Sequence, residues 1–540
     1  MKSKRIPALI LACLMCLALL AGCGGKDDSS AGSGTPSTSS GKDASGSEKV
    51  NISISIWEVA NGLTSPETDD IYKTISDKFN VEFTALNTTW DDSDQKIQAW
   101  AASDQLPDWF AIAAYGKPYY TTWVEEGIVR DLTDEIPKYP NIAALMEIED
   151  MAVYNTDGRY YCIPRPNYVH GEYYPSENAM YLRKDLMEAA GWSVDHQPET
   201  LDEFITMIQD MMAIGNCDVG ITAYNSDHMR LLASPYCVSM ATGPTKYVWE
   251  DGQWKPCILT DMAKDAVTAM GKMYAAGIID KDIPTLAQDE GKNKFCSGQA
   301  VGYCYNGYPG AITSTASTWE LAQPDKDFSE YVTLWRPWAE GDTRYYKYNA
   351  EPWSESYFRG DISQEKLDAM LSVMDYLLSD EGLELMRFGI EGVDYTKDAD
   401  GNITVLLPEG EKLGDKYPFV KDDGGTVEIS TWDQEFQFSN PTYDKGILDM
   451  ATKQLEWWWD NGVGDNTVYT DARVAFFDPT FMQDYADLVG GIGDKFMVAY
   501  ITGDKAAETW DQKVAEWTAS GFTARAKEFS DALIAAGISK

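Results

Sequence analysis

From Val50 onward the apolar residues switch between two periods, and that switching restricts the fold more than any other feature of the chain. Val50, Ile52, Ile54 and Ile56 alternate with polar residues, which predicts a strand with one face buried. Ile71, Ile75 and Phe79 then recur at helical spacing within residues 68–79. Val81 to Leu86 predicts a second strand, Asp94–Ala102 a second helix, and the apolar run Trp109–Ala114 a third strand. Strand–helix–strand–helix–strand predicts parallel pairing, because a parallel neighbour needs a crossover and a helix is what covers the sheet. Further on, Thr200 and Glu203 make a capping box, and Leu201, Phe204, Ile205, Ile208 and Met212 line one helix face. Residues 364–378 repeat that pattern with Leu367, Met370, Leu371, Met374 and Leu378. A chain of 540 residues exceeds what a single core supports, so two large α/β lobes are expected. No internal repeat of fixed period accompanies them.

The first fifty residues belong to a different physical regime. Lys2, Lys4 and Arg5 precede a short apolar core from Leu9 to Leu20, too short to span a membrane, and Leu20-Ala21-Gly22-Cys23 follows. Basic start, apolar core and small residues predict a cleaved signal over residues 1–22. The Leu-Ala-Gly-Cys ending resembles a bacterial lipobox, in which the cysteine, here Cys23, receives a diacylglycerol. Residues 23–49 then read as that lipidated cysteine and a Gly/Ser-rich tether, about 30 Å long on average as a flexible coil. A tether of this kind points to the outer face of a Gram-positive cell membrane. No later stretch is long and apolar enough to cross a bilayer.

Cys13 and Cys16 fall inside the signal core. Cys162, Cys217, Cys237, Cys257, Cys296 and Cys304 remain, and their spacing selects neither a disulfide pattern nor free thiols. The net charge of −42, more negative still once the basic start is removed, disfavours nucleic acid and anionic lipid as partners. It equally disfavours an anionic polysaccharide unless basic residues gather locally. His170, His196 and His228 are the only histidines and none lies in a zinc-binding pattern. A nucleophile elbow and a Walker A loop are both absent. Paired carboxylates for glycoside hydrolysis occur by chance among 86 acidic residues, so they identify nothing.

A family resemblance emerges from an ordered set of blocks. Ser103-Asp104-Gln105-Leu106-Pro107-Asp108 is followed by Glu126-Gly127-Ile128-Val129-Arg130-Asp131-Leu132 and Lys138-Tyr139-Pro140-Asn141. Then come Asp157-Gly158-Arg159-Tyr160-Tyr161-Cys162-Ile163-Pro164, Tyr181-Leu182-Arg183-Lys184-Asp185-Leu186 and the capping box. Gly277-Ile278-Ile279-Asp280, Phe295-Cys296-Ser297-Gly298, Asp380-Glu381-Gly382 and Gly389-Ile390-Glu391-Gly392-Val393-Asp394-Tyr395 complete the series. In this order, from residue 50 to 540, the chain resembles the family 1 extracellular solute-binding proteins, in their large lipoprotein branch. The resemblance implies a two-lobed periplasmic-binding-protein-like fold of type II with a hinge and an interlobe ligand cleft. It implies a monomer that captures a carbohydrate and delivers it to an ABC permease with a separate cytoplasmic ATPase. The membrane is met through the lipid anchor only, no bond is made or broken, and no cofactor is required. The expected layout is 50–172 and 335–436 in the first lobe, 173–334 and 437–540 in the second. Rival readings are a ligand-presenting sensor or adhesin, a peptide-binding importer component and a surface glycosidase.

Some relatives carry a calcium loop after the capping-box helix. Ala213-Ile214-Gly215-Asn216-Cys217-Asp218-Val219-Gly220 lacks the oxygen ligands for one, so no metal is expected there. Asp398-Ala399-Asp400-Gly401-Asn402 reads as a hairpin turn.

Two groups of candidate ligand residues follow. Ligands of open α/β sheets sit beyond the carboxyl ends of strands, which selects Trp57, Glu58 and Asn61, then Trp90 and Asp91, then Tyr115 and Tyr119. The predicted lobe crossings add Arg165, Asn167, Glu172 and Tyr173, then Trp335 and Trp338, then Trp353, Glu355 and Tyr357, and finally Trp432 and Asp433. Aromatic faces suit the apolar face of a pyranose, and carboxylate, amide and guanidinium groups suit its hydroxyls. Leu455-Glu456-Trp457-Trp458-Trp459 spreads around a helix and reads mainly as packing.

Overall fold

A computed structural model describes residues 48–539 except 157, 167–178, 226–227, 237–246, 288, 339–351, 400, 409–410, 422–428, 442 and 462–505. Val50–Lys540 is one contact unit, separate from Met1–Lys49, and the fold below is that of the larger unit. β1 (Val50–Ser55) pairs in parallel with β2 (Val81–Ala85) and β3 (Trp109–Ile112). The helix Asp70–Phe79 makes the first crossover. Asp69 caps it by accepting from the Ile71 and Tyr72 amides, and its second oxygen accepts from the Phe419 amide at 2.9 Å. Asn80 ends it in the left-handed region, so the chain reverses directly into β2. The second crossover helix is Ser93–Ala102.

β4 (Ile163–Pro166) and β11 (Pro352–Phe358) complete this sheet in the order β2-β1-β3-β11-β4. β11 runs antiparallel to both β3 and β4, so a strand from far along the chain is inserted between two early ones. The second sheet has the order β10-β5-β9-β6, built from β5 (Ala179–Arg183), β6 (Val219–Ala223), β9 (Ala300–Tyr305) and β10 (Val332–Leu334). β6 and β9 are parallel, while β5 runs against β9 and β10 against β5. Two hairpins stand outside these sheets: β7 (Tyr247–Glu250) with β8 (Gln253–Pro256), and β12 (Tyr395–Lys397) with β13 (Ile403–Val405).

The cores follow the sheets. One cluster unites Ile52, Ile54, Trp109, Phe110, Tyr357, Leu367, Met370 and Ile429 around the first sheet. The second sheet is covered on both faces. Met180 and Leu182 join Phe204, Met270, Trp510 and Phe529 on one side, whereas Ala179 and Tyr181 join Phe295, Trp319 and Ile447 on the other. The helices Ala506–Ala519 and Phe522–Ala535 therefore pack in the second body, and Gln364–Leu377 in the first. The boundary expected before residue 335 falls later. Trp335 and Trp338 pack on Phe204 with centroids 5.2 and 5.1 Å away, so the chain leaves the second core only after Trp338.

Several local expectations take definite form. Thr200 caps the helix Leu201–Gly215 through the Glu203 amide, while Glu203 accepts from the Glu199 amide, one residue earlier than in the usual box. Ala213–Gly220 spans the end of that helix and the start of β6. Asn216 is its left-handed cap, and Gly220 is already in β6, where a Cβ would meet the Ile278 carbonyl at 2.2 Å. Asp398 and Asn402 turn the β12–β13 hairpin, with the Asn402 amide donating to Asp398 at 2.9 Å. Glu409 is twelfth counted from Asp398, but the sixth position, glycine in a calcium loop, is Ile403, paired with Lys397. Cys162, Cys217, Cys257, Cys296 and Cys304 are buried free thiols, and Cys237 lies outside the described residues.

Candidate functional site

All the strand ends that lead from one sheet to the other lie on the same edge of their sheets. β1, β2, β3 and β4 run in one direction, so Trp57, Thr88, Tyr115 and Pro166 share the first sheet's carboxyl edge. β11, which is antiparallel, starts there. In the second sheet β6, β9 and β10 end on the edge at which β5 begins.

Three tryptophans from three distant segments meet on the first edge. Trp57 continues β1 and bridges to Thr88 beyond β2, and its indole N–H donates to Ser93 Oγ at 2.9 Å. Trp90 stacks on it with centroids 4.9 Å apart and planes 8° from parallel. Trp432 lies 6.3 Å from Trp57 and 6.1 Å from Trp90, held by its own amide, which donates to the Pro166 carbonyl at 3.0 Å. Arg165 comes from β4 and is fully buried, with its guanidinium 4.3 Å from the Trp432 centroid and 5.2 Å from that of Trp57. A desolvated guanidinium–indole contact contributes about 2 kcal/mol and each aromatic pair about 1 kcal/mol to holding these rings together. Trp57 is buried, whereas Trp90 is 39% exposed and offers the accessible face.

Polar groups surround this wall. Glu58 adopts a left-handed conformation (φ 54°), stabilised by its amide donating to the Thr88 carbonyl at 2.8 Å. Asn61 and Asp91 are exposed, and the Ala60 amide is held by Asn87 Oδ1 at 3.0 Å. Asp433, also left-handed, receives two bonds from Arg387 at 2.6 and 2.7 Å. Tyr119 and Lys117 both donate to Asp94 at 2.7 Å, and these partners hold that carboxyl below its ordinary range against the opposing effect of burial.

Other sequence candidates support the wall from within. Glu355 is buried and accepts from the Ala114 and Tyr115 amides at 3.0 and 3.1 Å and from the Tyr357 and Tyr154 hydroxyls at 2.9 and 3.2 Å. Burial pushes its carboxyl above the usual range, partly offset by these donors. Tyr357 is fully buried and stacks on Phe110 at 5.5 Å. Tyr115 donates its hydroxyl to the Val153 carbonyl, and burial raises its pKa to about 12. Trp335 and Trp338 are core residues of the second body, apart from this wall. Neither indole N–H has a hydrogen-bond partner among the described residues, so both contribute apolar area alone. Trp353 lies in β11 with its side chain undescribed, and Asn167, Glu172 and Tyr173 fall outside the described residues. Trp458 is buried, as packing requires.

The second sheet's edge carries a cluster that the sequence reading missed. Tyr224, just beyond β6, and Tyr305, the last residue of β9, have centroids 4.8 Å apart. His228 lies 5.4 Å from Tyr224 and 5.3 Å from Tyr305, and its Nδ1 is 2.8 Å from Asn225 Oδ1. All four residues are half-buried. The carboxyl-end rule would have selected them had β6 and β9 been recognised as strands. Among the described residues no group of three His, Cys, Asp or Glu could hold a metal, and no helix is long and apolar enough to cross a membrane.

Comparison with known proteins gives this arrangement a context. The chain is 23% identical, over 98% of its length and 99% of the relative's, to the polygalacturonan/rhamnogalacturonan-binding protein YtcQ of Bacillus subtilis (strain 168). The alginate-binding protein AlgQ2, solved without calcium, superposes with a TM-score of 0.66 at 16% identity, covering 89% of this chain and 97% of that one. The Streptococcus pneumoniae substrate-binding protein FusA in complex with kestose has a TM-score of 0.66 at 15% identity, covering 90% and 99%. These likenesses establish the two-sheet α/β fold. A family profile described as bacterial extracellular solute-binding protein matches residues 70–354, more than half of the chain. The chain therefore belongs to the bacterial extracellular solute-binding proteins.

Proposed function

We propose that this protein captures an oligosaccharide between its two α/β bodies and delivers it unchanged to an ABC importer. The observation that carries this reading is the tryptophan wall of Trp57, Trp90 and Trp432, backed by Arg165 at the carboxyl edge of the first sheet. A broad, stiff indole face matches the C–H face of a pyranose, and it is set among carboxylate and amide groups suited to hydroxyls. The Tyr224–Tyr305–His228 cluster occupies the corresponding edge of the second sheet and supplies the opposing contacts. Relatives whose names record polygalacturonan/rhamnogalacturonan, alginate and kestose support a saccharide as the ligand.

Ligand drives closure of the two bodies only by binding the closed form better than the open one, and the permease then reads that closed form. Cys23, once lipidated, holds the protein on the outer face of the cell membrane, and the polar segment behind it lets the body reach the permease. No chemistry is performed on the sugar. Titration of neutral and acidic oligosaccharides, followed by tryptophan emission and calorimetry, tests the reading: at least one saccharide shifts the emission and saturates. A response to peptides with none to saccharides would sink it. Mass spectrometry of the membrane-extracted protein tests the anchor, which Cys23→Ala abolishes.

A further inference from the structure

We propose that the saccharide taken at the tryptophan wall is neutral, and that the site discriminates against oligosaccharides built from uronic acids. This rests on the carbohydrate reading above and narrows its ligand class. A uronate carboxylate brought out of water needs a cation or several donors within hydrogen-bond distance; otherwise its desolvation is uncompensated.

Among the described residues, the cations around this wall are already committed. Lys96 pairs with Asp92 at 2.8 Å, Lys117 with Asp94 at 2.7 Å, and Arg387 binds Asp433 through two nitrogens at 2.6 and 2.7 Å. Arg165 is fully buried against the Trp57 and Trp432 rings, so its guanidinium lies behind the aromatic surface. The described charged groups left to meet a ligand carry the opposite sign. Glu58 follows Trp57 and Asp91 follows Trp90, the two stacked rings, and neither carboxylate makes a hydrogen bond or ion pair among the described residues. Both accept hydrogen bonds from sugar hydroxyls and repel a second carboxylate. The cluster of Tyr224, Asn225, His228 and Tyr305 on the second sheet's edge adds neither lysine nor arginine. The overall charge of −42 reinforces the same preference at longer range.

The test is calorimetry at low ionic strength with two sets of tetrasaccharides, one neutral (xylo-, manno-, gluco- and galacto-) and one of galacturonate and of alginate. We expect a neutral tetrasaccharide to bind about 100-fold more tightly than either polyuronate, the size of effect that like-charge juxtaposition produces in a contact zone. Removing both carboxylates in Glu58→Gln/Asp91→Asn narrows that gap about tenfold, and added salt narrows it more in the parent protein than in the variant. Thermal unfolding of the variant verifies that it is folded. A polyuronate bound as tightly as the best neutral sugar would overturn the inference while leaving sugar capture intact. An unchanged gap in the double variant would overturn the role given to Glu58 and Asp91. Binding of no saccharide at all would remove the carbohydrate reading itself.

Discussion

The two sheets present aromatic clusters on equivalent edges, yet the clusters differ in kind. On the first sheet, Trp57 and Trp90 lie 8° from parallel and make one wide apolar surface. On the second, the Tyr224, Tyr305 and His228 rings are tilted by 35° to 78°, so edges and polar atoms are presented instead of a single face. The supports differ as well. Glu355, a buried carboxylate tying β11 to the end of β3, underlies the first edge, whereas the neutral rings of Tyr181, Phe295 and Tyr303 pack beneath the second. Under the proposed function, equivalent topology fixes where a ligand is met, while side chains decide what each wall would contribute: area from one, directional hydrogen bonds from the other.

The largest expected effect separates wall from core. Trp335→Ala should lower stability by about 3–5 kcal/mol, the range for deleting a buried large aromatic, and leave the affinity of the folded protein unchanged. Denaturant titration with and without ligand measures both, and a loss of affinity at unchanged stability would place Trp335 on the wall. Glu355→Ala comes next, at about 3 kcal/mol, because four donors lose their acceptor in the interior. Glu355→Gln should restore part of this and reveal a pH dependence. The folded pKa of Glu355 is raised, so the native state keeps a proton that the unfolded chain has released. Its stabilising contribution is therefore complete below the ordinary glutamate value and is lost as pH rises through the folded value. Wild-type stability relative to Glu355→Gln should fall over that window, and a flat difference would contradict the buried, raised carboxyl.

Smaller effects probe the walls themselves. Trp90→Ala removes the exposed stacked ring and should weaken oligosaccharide binding about 10- to 100-fold, with a melting shift of only about 2 °C. Tyr305→Phe should weaken it about threefold, the effect of one neutral hydrogen bond. If Tyr305→Phe proved the more damaging of the two, the division between an area-supplying and a bond-supplying wall would be reversed.

Much of the first body was legible because its early strands and helices alternate cleanly. Val50–Ile56 and the spacing of Ile71, Ile75 and Phe79 are direct records of one buried face. The second sheet was not legible in the same way. Ala179–Arg183 is buried at every position, and Ala300–Cys304 likewise, so the alternation that marks a half-exposed strand is missing. Without those strands, Tyr224 and Tyr305 had no strand ends to be assigned to. At residues 335–338 the local sequence marks a crossing but does not contain the packing of both tryptophan rings on Phe204, which comes from far along the chain.

By itself the sequence determined that an acidic chain with a signal-like start carries strand–helix alternation, and that aromatics follow its first strand ends. Those properties are local, recorded within about ten residues of one another. Only the tertiary structure decided that Trp432 and Arg165 join Trp57 and Trp90, that Glu355 and Tyr357 face inward, and that Arg387 is neutralised by Asp433. Each of these depends on β11 being inserted between β3 and β4 and on the chain returning to β4 near residue 432. Such long-range pairings are selected by the packing of the whole body, and no short stretch of sequence contains them.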